Sequence, residues 1–517
     1  MKNIFKKIFS RATLVIIAIL LQLAISLLLP YIINHFYPIM FGKFYLPIDI
    51  VINVIAFILL LYLINSDMLI EGRLTWCIIL LLVPIFGIIV YFVFVRRKPP
   101  RMHKKFYEKV RAEIKQYEVK YSQEDDHLKQ NLGEYYGQFE YIYGAMGLKT
   151  YENTEVKYLN QGEVFFAELL SEIKKAKRYI FMEYFIIEQG KMWSEILKIL
   201  LEKINAGVEV RVMYDDFGTI SKLPSNFAKK LNKLGIKCVK FNSFIPIMSA
   251  VHNNRDHRKI TIIDGTVGFV SGLNIADEYI NEKVLYGHWK DTGLKLTGDA
   301  VKNLLLMFLQ LYDVQNMKLE SFANYLPKNE ITVTNASGFV CPYGDGPKYF
   351  YEDYISENVY LNTINQSQKY LWITTPYLII DNKLTNALCT AAKRGVDVRI
   401  ITPHIPDKKT IFRLTRSSYK VLMQAGVKIM EYEKGFIHAK QVLCDDQIGI
   451  LGTINFDYRS LLHHYECGVL MCRTVCLADL KRDFEHLFTV SIDMKDFRQN
   501  PFTRLMCAVI KIFTPML

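Results

Sequence analysis

Two short patterns in this 517-residue chain carry side chains suited to attack on a phosphodiester. His257-Arg258-Lys259 followed by Asp264 reads H-x-K-x-x-x-x-D, and His438-Ala439-Lys440 followed by Asp445 repeats it. Each is trailed by a small-residue turn and an asparagine: Ser271-Gly272-Leu273-Asn274, then Gly452-Thr453-Ile454-Asn455. An imidazole can bond to phosphorus or move a proton. Lys259, Lys440, Asn274, Asn455 and the Thr453 hydroxyl supply charge and donors for phosphoryl oxygens. A lone His beside a Lys is far more often an ordinary surface or core residue, but duplication of the whole set reverses that judgement. Asp264 and Asp445 complete the motifs at strand-to-turn junctions, where a carboxylate commonly fixes a turn. They are read as structural more than chemical.

The two copies are in register. His438 follows His257 by 181 positions, and Asn455 follows Asn274 by the same interval. Upstream, Ala206-Gly207-Val208-Glu209-Val210-Arg211-Val212 matches Arg394-Gly395-Val396-Asp397-Val398-Arg399-Ile400 at an interval of 188, and Gly235-Ile236-Lys237 matches Gly426-Val427-Lys428 at 191. The shorter interval at the motifs implies about ten extra residues in the first copy, near 241–253, and repeats at so long a period mean duplicated domains.

Elements that would position the motifs follow from residue pattern. β-branched and aromatic runs predict strands over 179–187, 208–214, 370–380 and 396–402, with helices over 193–206 and 383–393 between them. Strand–helix–strand order predicts an α/β fold of two tandem units related by a pseudo-twofold. Strands over 259–264 and 440–445 put His and Lys, two positions apart, on one face. Packed face to face, the units bring both histidines into one cleft.

Several stretches resemble the phospholipase D superfamily from roughly Gly147 onward, and narrow to bacterial cardiolipin synthases. They are Asn253-Asn254-Arg255-Asp256-His257-Arg258-Lys259, Gly272-Leu273-Asn274-Ile275-Ala276-Asp277-Glu278-Tyr279, Trp289-Lys290-Asp291-Thr292 and Asn455-Phe456-Asp457-Tyr458-Arg459-Ser460. The apolar segment from Trp76 to Phe94 is also similar to that family's N-terminal region. The resemblance implies phospholipase D-like domains over 147–325 and 326–517, and joining of two phosphatidylglycerol molecules with release of glycerol, without metal or other cofactor. It implies a ping-pong course through a phosphatidyl-histidine, with His257 as nucleophile and His438 as acid/base. It also suggests Asp291 as the tautomer-fixing partner of His257 and Glu466 as that of His438. Glu183 is a lesser pocket candidate. Two departures stand out: Ser271-Gly272 replaces the family's Gly-Gly, and Thr453 stands where Ser is common. The same superfamily includes hydrolases and phosphatidylserine synthases. A catalytically inert membrane scaffold is disfavoured because both His and both Lys are present.

Composition agrees with work at a membrane. The chain is 51% hydrophobic with a formal net charge of +13, which suits anionic lipid. Charge alone fits nucleic acid equally well, but three apolar segments, 14–33, 46–64 and 74–95, favour an integral membrane protein over a nuclease. No small-x-small cleavage site follows the first, against a signal peptide. Basic residues before residue 14 and over 96–105 both ask to be cytoplasmic, which three crossings cannot satisfy. The denser second cluster favours catalytic domains on the cytoplasmic face of the cell membrane, with the last two segments as a hairpin. Nine cysteines show neither disulfide nor zinc spacing. Residues 99–146 read as a charged connection, with a helix over 106–121 and a linker over 122–130. Two apolar surfaces are candidates for lipid contact: Phe244-Ile245-Pro246-Ile247-Met248, and an amphipathic tail over 502–517.

Overall fold

We describe the protein from a computed structural model covering residues 35–36, 45–66, 68–94, 101–115, 124–243, 253–328, 331, 333–348 and 350–514. The predicted segment 14–33 and the stretch 244–248 lie outside these residues. The chain divides into two compact units: 1–99 with 244–253 and 504–517, and 100–243 with 254–503.

In the first unit, α1 (Tyr45–Ile64) coincides with the predicted segment 46–64. Among the described residues it is the one helix long and apolar enough to cross a membrane, and Ile50, Val54, Phe57, Ile58 and Leu61 are exposed along it. The segment 74–95, predicted as one span, is instead two helices, α2 (Ile70–Leu82) and α3 (Pro84–Phe94). Pro84 lacks an N–H and disfavours helical backbone at the residue before it; Val83 accordingly sits at φ −143°, ψ 75°. At 13 and 11 residues, each helix falls short of the ~20 needed to span a bilayer. They fold against one another, Trp76 meeting Tyr91 edge to face at 5.4 Å, with Gly87 pressed on Leu80 so closely that a Cβ would stand 3.0 Å from it.

The second unit opens with α4 (Arg101–Lys115), whose described span begins before the predicted helix over 106–121. The predicted linker over 122–130 is a helix, α5 (Glu124–Leu132). Leu128 and Leu132, one turn apart, are both buried, so a short apolar stripe recruits a polar sequence into helix.

Two mixed sheets follow. The first comprises β1 (Thr154–Leu159), β2 (Tyr179–Tyr184), β3 (Glu209–Asp215), β4 (Lys237–Phe241), β5 (Lys259–Ile263), β6 (Val267–Ser271) and β8 (Gly293–Gly298) in the order β1-β8-β6-β5-β2-β3-β4. The short β7 (His288–Lys290) stands outside it. The second sheet is built from β9 (Phe339–Asp345), β10 (Tyr370–Thr374), β12 (Asp397–Pro403), β13 (Lys428–Tyr432), β15 (Gln441–Cys444), β16 (Ile448–Gly452), β18 (Glu466–Cys472) and β19 (Ser491–Asp493). Its order, β9-β18-β16-β15-β10-β12-β13-β19, repeats the first strand for strand with one added edge. The predicted strand 370–380 breaks at Pro376 into β10 and β11 (Leu378–Ile379), the latter pairing with β17 (Phe456–Asp457).

Helix α6 (Lys191–Asn205) buries Met192, Trp193, Ile196, Ile199 and Leu200. It starts two residues before the predicted 193 because the Asp277 carboxylate, distant in sequence, accepts from the backbone N–H groups of Lys191 and Met192, both at 2.9 Å. Helix α7 (Val301–Asn316) is buried over most of its length and packs against both sheets. Helix α8 (Asn382–Lys393) matches the predicted 383–393 and is capped by Asp381 accepting from Leu384 N. All nine cysteines are free.

The motif aspartates terminate β5 and β15. Asp264 has φ 54° and accepts backbone N–H groups from Lys177, Arg178 and Tyr179 at 2.8, 2.7 and 2.9 Å. Asp445, φ 53°, does the same for Gln368, Lys369 and Tyr370 at 2.7, 2.8 and 2.7 Å. Both stand at the far end of the strand from the histidine and lock the entrance of the neighbouring strand. Asp445→Ala is expected to lower the unfolding free energy by about 2–3 kcal/mol, the worth of charge-assisted bonds lost, read as a lower denaturant midpoint at unchanged slope.

Candidate active site

Each motif histidine enters the site from a stretch that pairs with the opposite half. β7 runs parallel to β14 (Gly435–Ile437), so Lys290 lies opposite Ile437, and His438 N donates to Lys290 O at 2.7 Å. The mirror of this is a parallel bridge between Asp256 and Tyr465, with His257 N donating to Tyr465 O at 2.9 Å. In each case the next residue of the partner strand is an acid. His257 Nδ1 therefore meets Glu466, 2.9 Å from both carboxylate oxygens, and His438 Nδ1 meets Asp291 Oδ2 at 2.6 Å. This reverses the pairing expected from sequence order: Asp291 serves His438 and Glu466 serves His257. The register of the two cross-half pairings is the cause. The carboxylates accept, so Nδ1 carries the hydrogen and the Nε2 lone pair is left available.

Both acids are completely buried and each has a fitted neighbour. Thr453 Oγ1 donates to Glu466 Oε2 and takes an N–H from Cys467 at 3.0 Å. At the equivalent position of the first half stands Gly272, where a Cβ would lie 2.2 Å from Asp291 Oδ1. The shorter acid needs the missing side chain, and the longer acid uses the hydroxyl. Gly272 and the Thr453 hydroxyl thus each have a local rationale, and Thr453 is a support for Glu466.

Lys259 Nζ donates to His257 O at 2.6 Å. Lys440 Nζ donates to His438 O and lies 2.8 Å from His438 Nδ1. Burial pushes Lys259 down to about 8, opposed by Glu466, and Lys440 down to about 7, opposed by Asp291 and reinforced by Lys259. Burial also lowers His438 to about 4, with Lys440 adding to the shift and Asp291 resisting it. His257 is pressed well below its ordinary value by burial, then by Lys259 and Lys440. Although burial works against it, His438 and Lys440 hold Asp291 below the usual carboxylate range. The result is two neutral imidazoles between two anions and two lysines.

The asparagines are not equivalent. Asn274 is tied into the scaffold, its Nδ2 donating to Tyr279 OH at 2.6 Å and its Oδ1 accepting from Ile186 N at 2.9 Å. Asn455 Oδ1 is buried without a partner. Glu183 is buried beside Asp256 and Arg258, and its carboxyl is raised well above the ordinary range by burial and then by Asp256.

Two site residues escaped sequence reasoning. Trp289 lies 5.4 Å from the His438 ring, and His464 lies 5.4 Å from the His257 ring. They precede their acids by two residues, at the same interval of 175 that separates Asp291 from Glu466, and that interval was the available signal. Burial holds His464 neutral, at about 3. His257, His464 and Glu466 place three possible metal-ligand atoms within 4.8 Å of one another. There the Nδ1–Glu466 hydrogen bond and the adjacent lysines already balance the carboxylate.

Comparison with known proteins gives a family and a fold. The family described as cardiolipin synthase, PLD-like domain, matches residues 169–284 and 360–488, and the phospholipase D-nuclease N-terminal family matches 51–96. An uncharacterized protein of Streptococcus mutans is 42% identical over 461 residues, 88% of this chain and 99% of that one. A cardiolipin synthase of Alkalihalophilus pseudofirmus is 33% identical over 452 residues, covering 86% of this chain and 88% of its own. The crystal structure of a phosphatidylserine synthase of Haemophilus influenzae shares the fold, with a TM-score of 0.54 at 16% identity over 70% of this chain and 95% of that chain.

Asp291→Asn is expected to cut kcat on the order of 10³–10⁴-fold, as loss of a tautomer-fixing acid does. With ¹⁵N-histidine labelling it removes the His438 Nδ1–H resonance and leaves that of His257, whereas the uncrossed pairing requires the opposite. The lysines are ammonium only below their pKa, so kcat/KM is expected to fall as pH rises through about 7–8. A bound phosphodiester favours the charged form, so the alkaline limb of kcat lies at higher pH.

Proposed function

The chain belongs to the cardiolipin synthase family of phospholipase D-like proteins, and on that premise we propose the following course for the synthesis of cardiolipin from two phosphatidylglycerols. His257 Nε2 attacks the phosphorus of the first, forming a P–N bond as the P–O bond to glycerol breaks. His438, protonated at Nε2 once the phosphodiester anion has entered, delivers that proton to the departing glycerol oxygen. It then takes the proton from the terminal hydroxyl of the second phosphatidylglycerol, whose oxygen attacks phosphorus and breaks the P–N bond. Cardiolipin and glycerol leave, and both imidazoles are restored.

The pair of crossed His–carboxylate contacts, buried between two lysines, is the observation that carries this reading. Roles divide by basicity. Asp291 resists the fall of His438, which suits it to gain and lose protons, and the entering phosphodiester anion raises its proton affinity further. His257, pressed down by burial and then by Lys259 and Lys440, stays an unprotonated nucleophile. Lys259, Lys440 and Asn455 face charge developing on the non-bridging oxygens.

For the membrane portion, we propose that the segments 14–33 and α1 cross and that α2–α3 folds back without crossing. Both basic clusters then lie on the cytoplasmic side, as the positive-inside rule asks, together with the catalytic domains. This arrangement is supported by the break at Pro84, which removes the third crossing that made the charge pattern inconsistent.

Detergent-solubilised protein given phosphatidylglycerol alone, without divalent metal, is expected to yield cardiolipin and glycerol in equal amounts. His257→Ala and His438→Ala each reduce turnover on the order of 10⁴-fold or more. With phosphatidylglycerol radiolabelled at phosphorus, His438→Ala quenched in detergent at alkaline pH, where the P–N bond survives, retains label on protein and His257→Ala does not. Phosphatidic acid as the product would replace this reading with hydrolysis.

A further inference from the structure

On a face of the second unit, α9 (Lys409–Gln424) and the segment 497–503 enclose a groove of about 470 Å³. Four cations line it, Lys409, Arg413, Arg416 and Arg498, with the rings of Phe412 and Phe497. The floor is fixed. Arg416 makes a two-pronged pair with the buried Glu431, Nε to Oε1 at 2.8 Å and Nη2 to Oε2 at 2.6 Å. Its guanidinium lies 4.1 Å from the Phe412 ring centre and 5.0 Å from that of Phe497. The walls are joined by Gln499 Nε2 donating to Arg413 O at 3.0 Å. Among the described residues, Lys409, Arg413 and Arg498 have no ion-pair partner. Three uncompensated cations converging on a cavity of headgroup size are a site for an anion.

Two further observations say where that anion comes from. At one end the groove reaches Thr503, beside Phe502, which is 77% exposed. Phe502 belongs to α10 (Pro501–Lys511), along which Leu505 and Val509 are exposed too. An exposed aromatic ring next to uncompensated cations is the composition of a segment lying at a bilayer surface. Asp407, which follows the lining residue Pro406, accepts from Tyr377 OH at 2.6 Å. The Tyr377 ring stands 6.4 Å from Phe436, which in turn stands 5.9 Å from His438. A chain of side-chain contacts therefore links the groove's neighbourhood to His438.

We propose that this groove binds the phosphate headgroup of an anionic phospholipid held in the same membrane, a second lipid site outside the cleft. Lys409, Arg413 and Arg498 hold the phosphate, Arg416 braces the floor, and the acyl chains stay in the bilayer beside Phe502. The site keeps an anionic lipid bound outside the cleft between turnovers. The inference stands on the groove itself and does not depend on which alcohol accepts the phosphatidyl group.

The test uses full-length His257→Ala protein, which does not turn over, in nanodiscs of phosphatidylcholine with or without phosphatidic acid. Hydrogen–deuterium exchange is followed over 406–416 and 497–503. Phosphatidic acid is expected to slow exchange in both segments, and the added triple substitution Lys409→Gln, Arg413→Gln and Arg498→Gln is expected to abolish the effect. Soluble glycerol 3-phosphate at equal phosphate concentration is expected to give no protection. Equal exchange in neutral and anionic discs, or protection that survives the triple substitution, overturns the site. Protection by glycerol 3-phosphate alone overturns the membrane source. In the otherwise wild-type enzyme, Arg413→Gln is expected to raise the surface KM for phosphatidylglycerol about fivefold, the effect of one cation near an anionic surface, with kcat held. A fall in kcat at constant KM counts against the proposal. Absence of any cardiolipin from wild type would strike the proposed function and leave the exchange result to decide the groove.

Discussion

Everything at the catalytic centre depends on two short backbone pairings that cross between the halves. His257 N to Tyr465 O and His438 N to Lys290 O place each imidazole against the carboxylate that follows its partner residue. Neither half is complete alone, because its histidine is oriented by an acid from the other. A slip of one residue in either pairing would turn the acid to the opposite face and leave a buried carboxylate without its partner, a cost of about 3–5 kcal/mol. Register, orientation of the imidazoles and union of the halves are thus one constraint seen three ways.

Around that constraint, neighbouring residues are matched to the acid they serve. Gly272 leaves room for Asp291 and Thr453 donates to Glu466, so two acids of different length reach equivalent places. The pseudo-twofold is kept in the backbone, where strand order repeats, and broken in the side chains: Trp289 flanks one histidine and His464 the other. Such inequality lets two nearly identical motifs take different parts in one reaction. Burial does the rest, driving imidazoles and lysines toward neutrality, a shift that an entering phosphodiester anion would oppose.

Beyond the cleft, the halves are joined by a buried polar cluster that no motif announced. Lys290 Nζ donates to Asp483 at 2.7 Å, and Tyr158 OH donates to the same carboxylate at 2.7 Å while meeting Gln441 at 3.0 Å. These residues flank the acid-bearing β7 and the strand after Lys440. Replacing one would leave its partners buried and unpaired. The rigidity of the site therefore rests on contacts between sequence segments hundreds of positions apart.

Sequence alone determined the duplication, the residues of both motifs, the α/β character and the turn-fixing part of Asp264 and Asp445, because these follow from local spacing and strand periodicity. It also located α1, since apolar length is a local quantity. It misplaced what depends on distant partners. The span 74–95 looked continuous by hydropathy, yet the backbone geometry imposed by Pro84 divides it. The linker over 124–132 became helix once Leu128 and Leu132 found something to bury against. The family resemblance named Asp291 and Glu466 but assigned each to the other histidine. Only tertiary structure decided the pairing, because the choice lies in the register between two strands from different halves, and a hydrogen bond between backbones leaves no mark on the side chains that encode it.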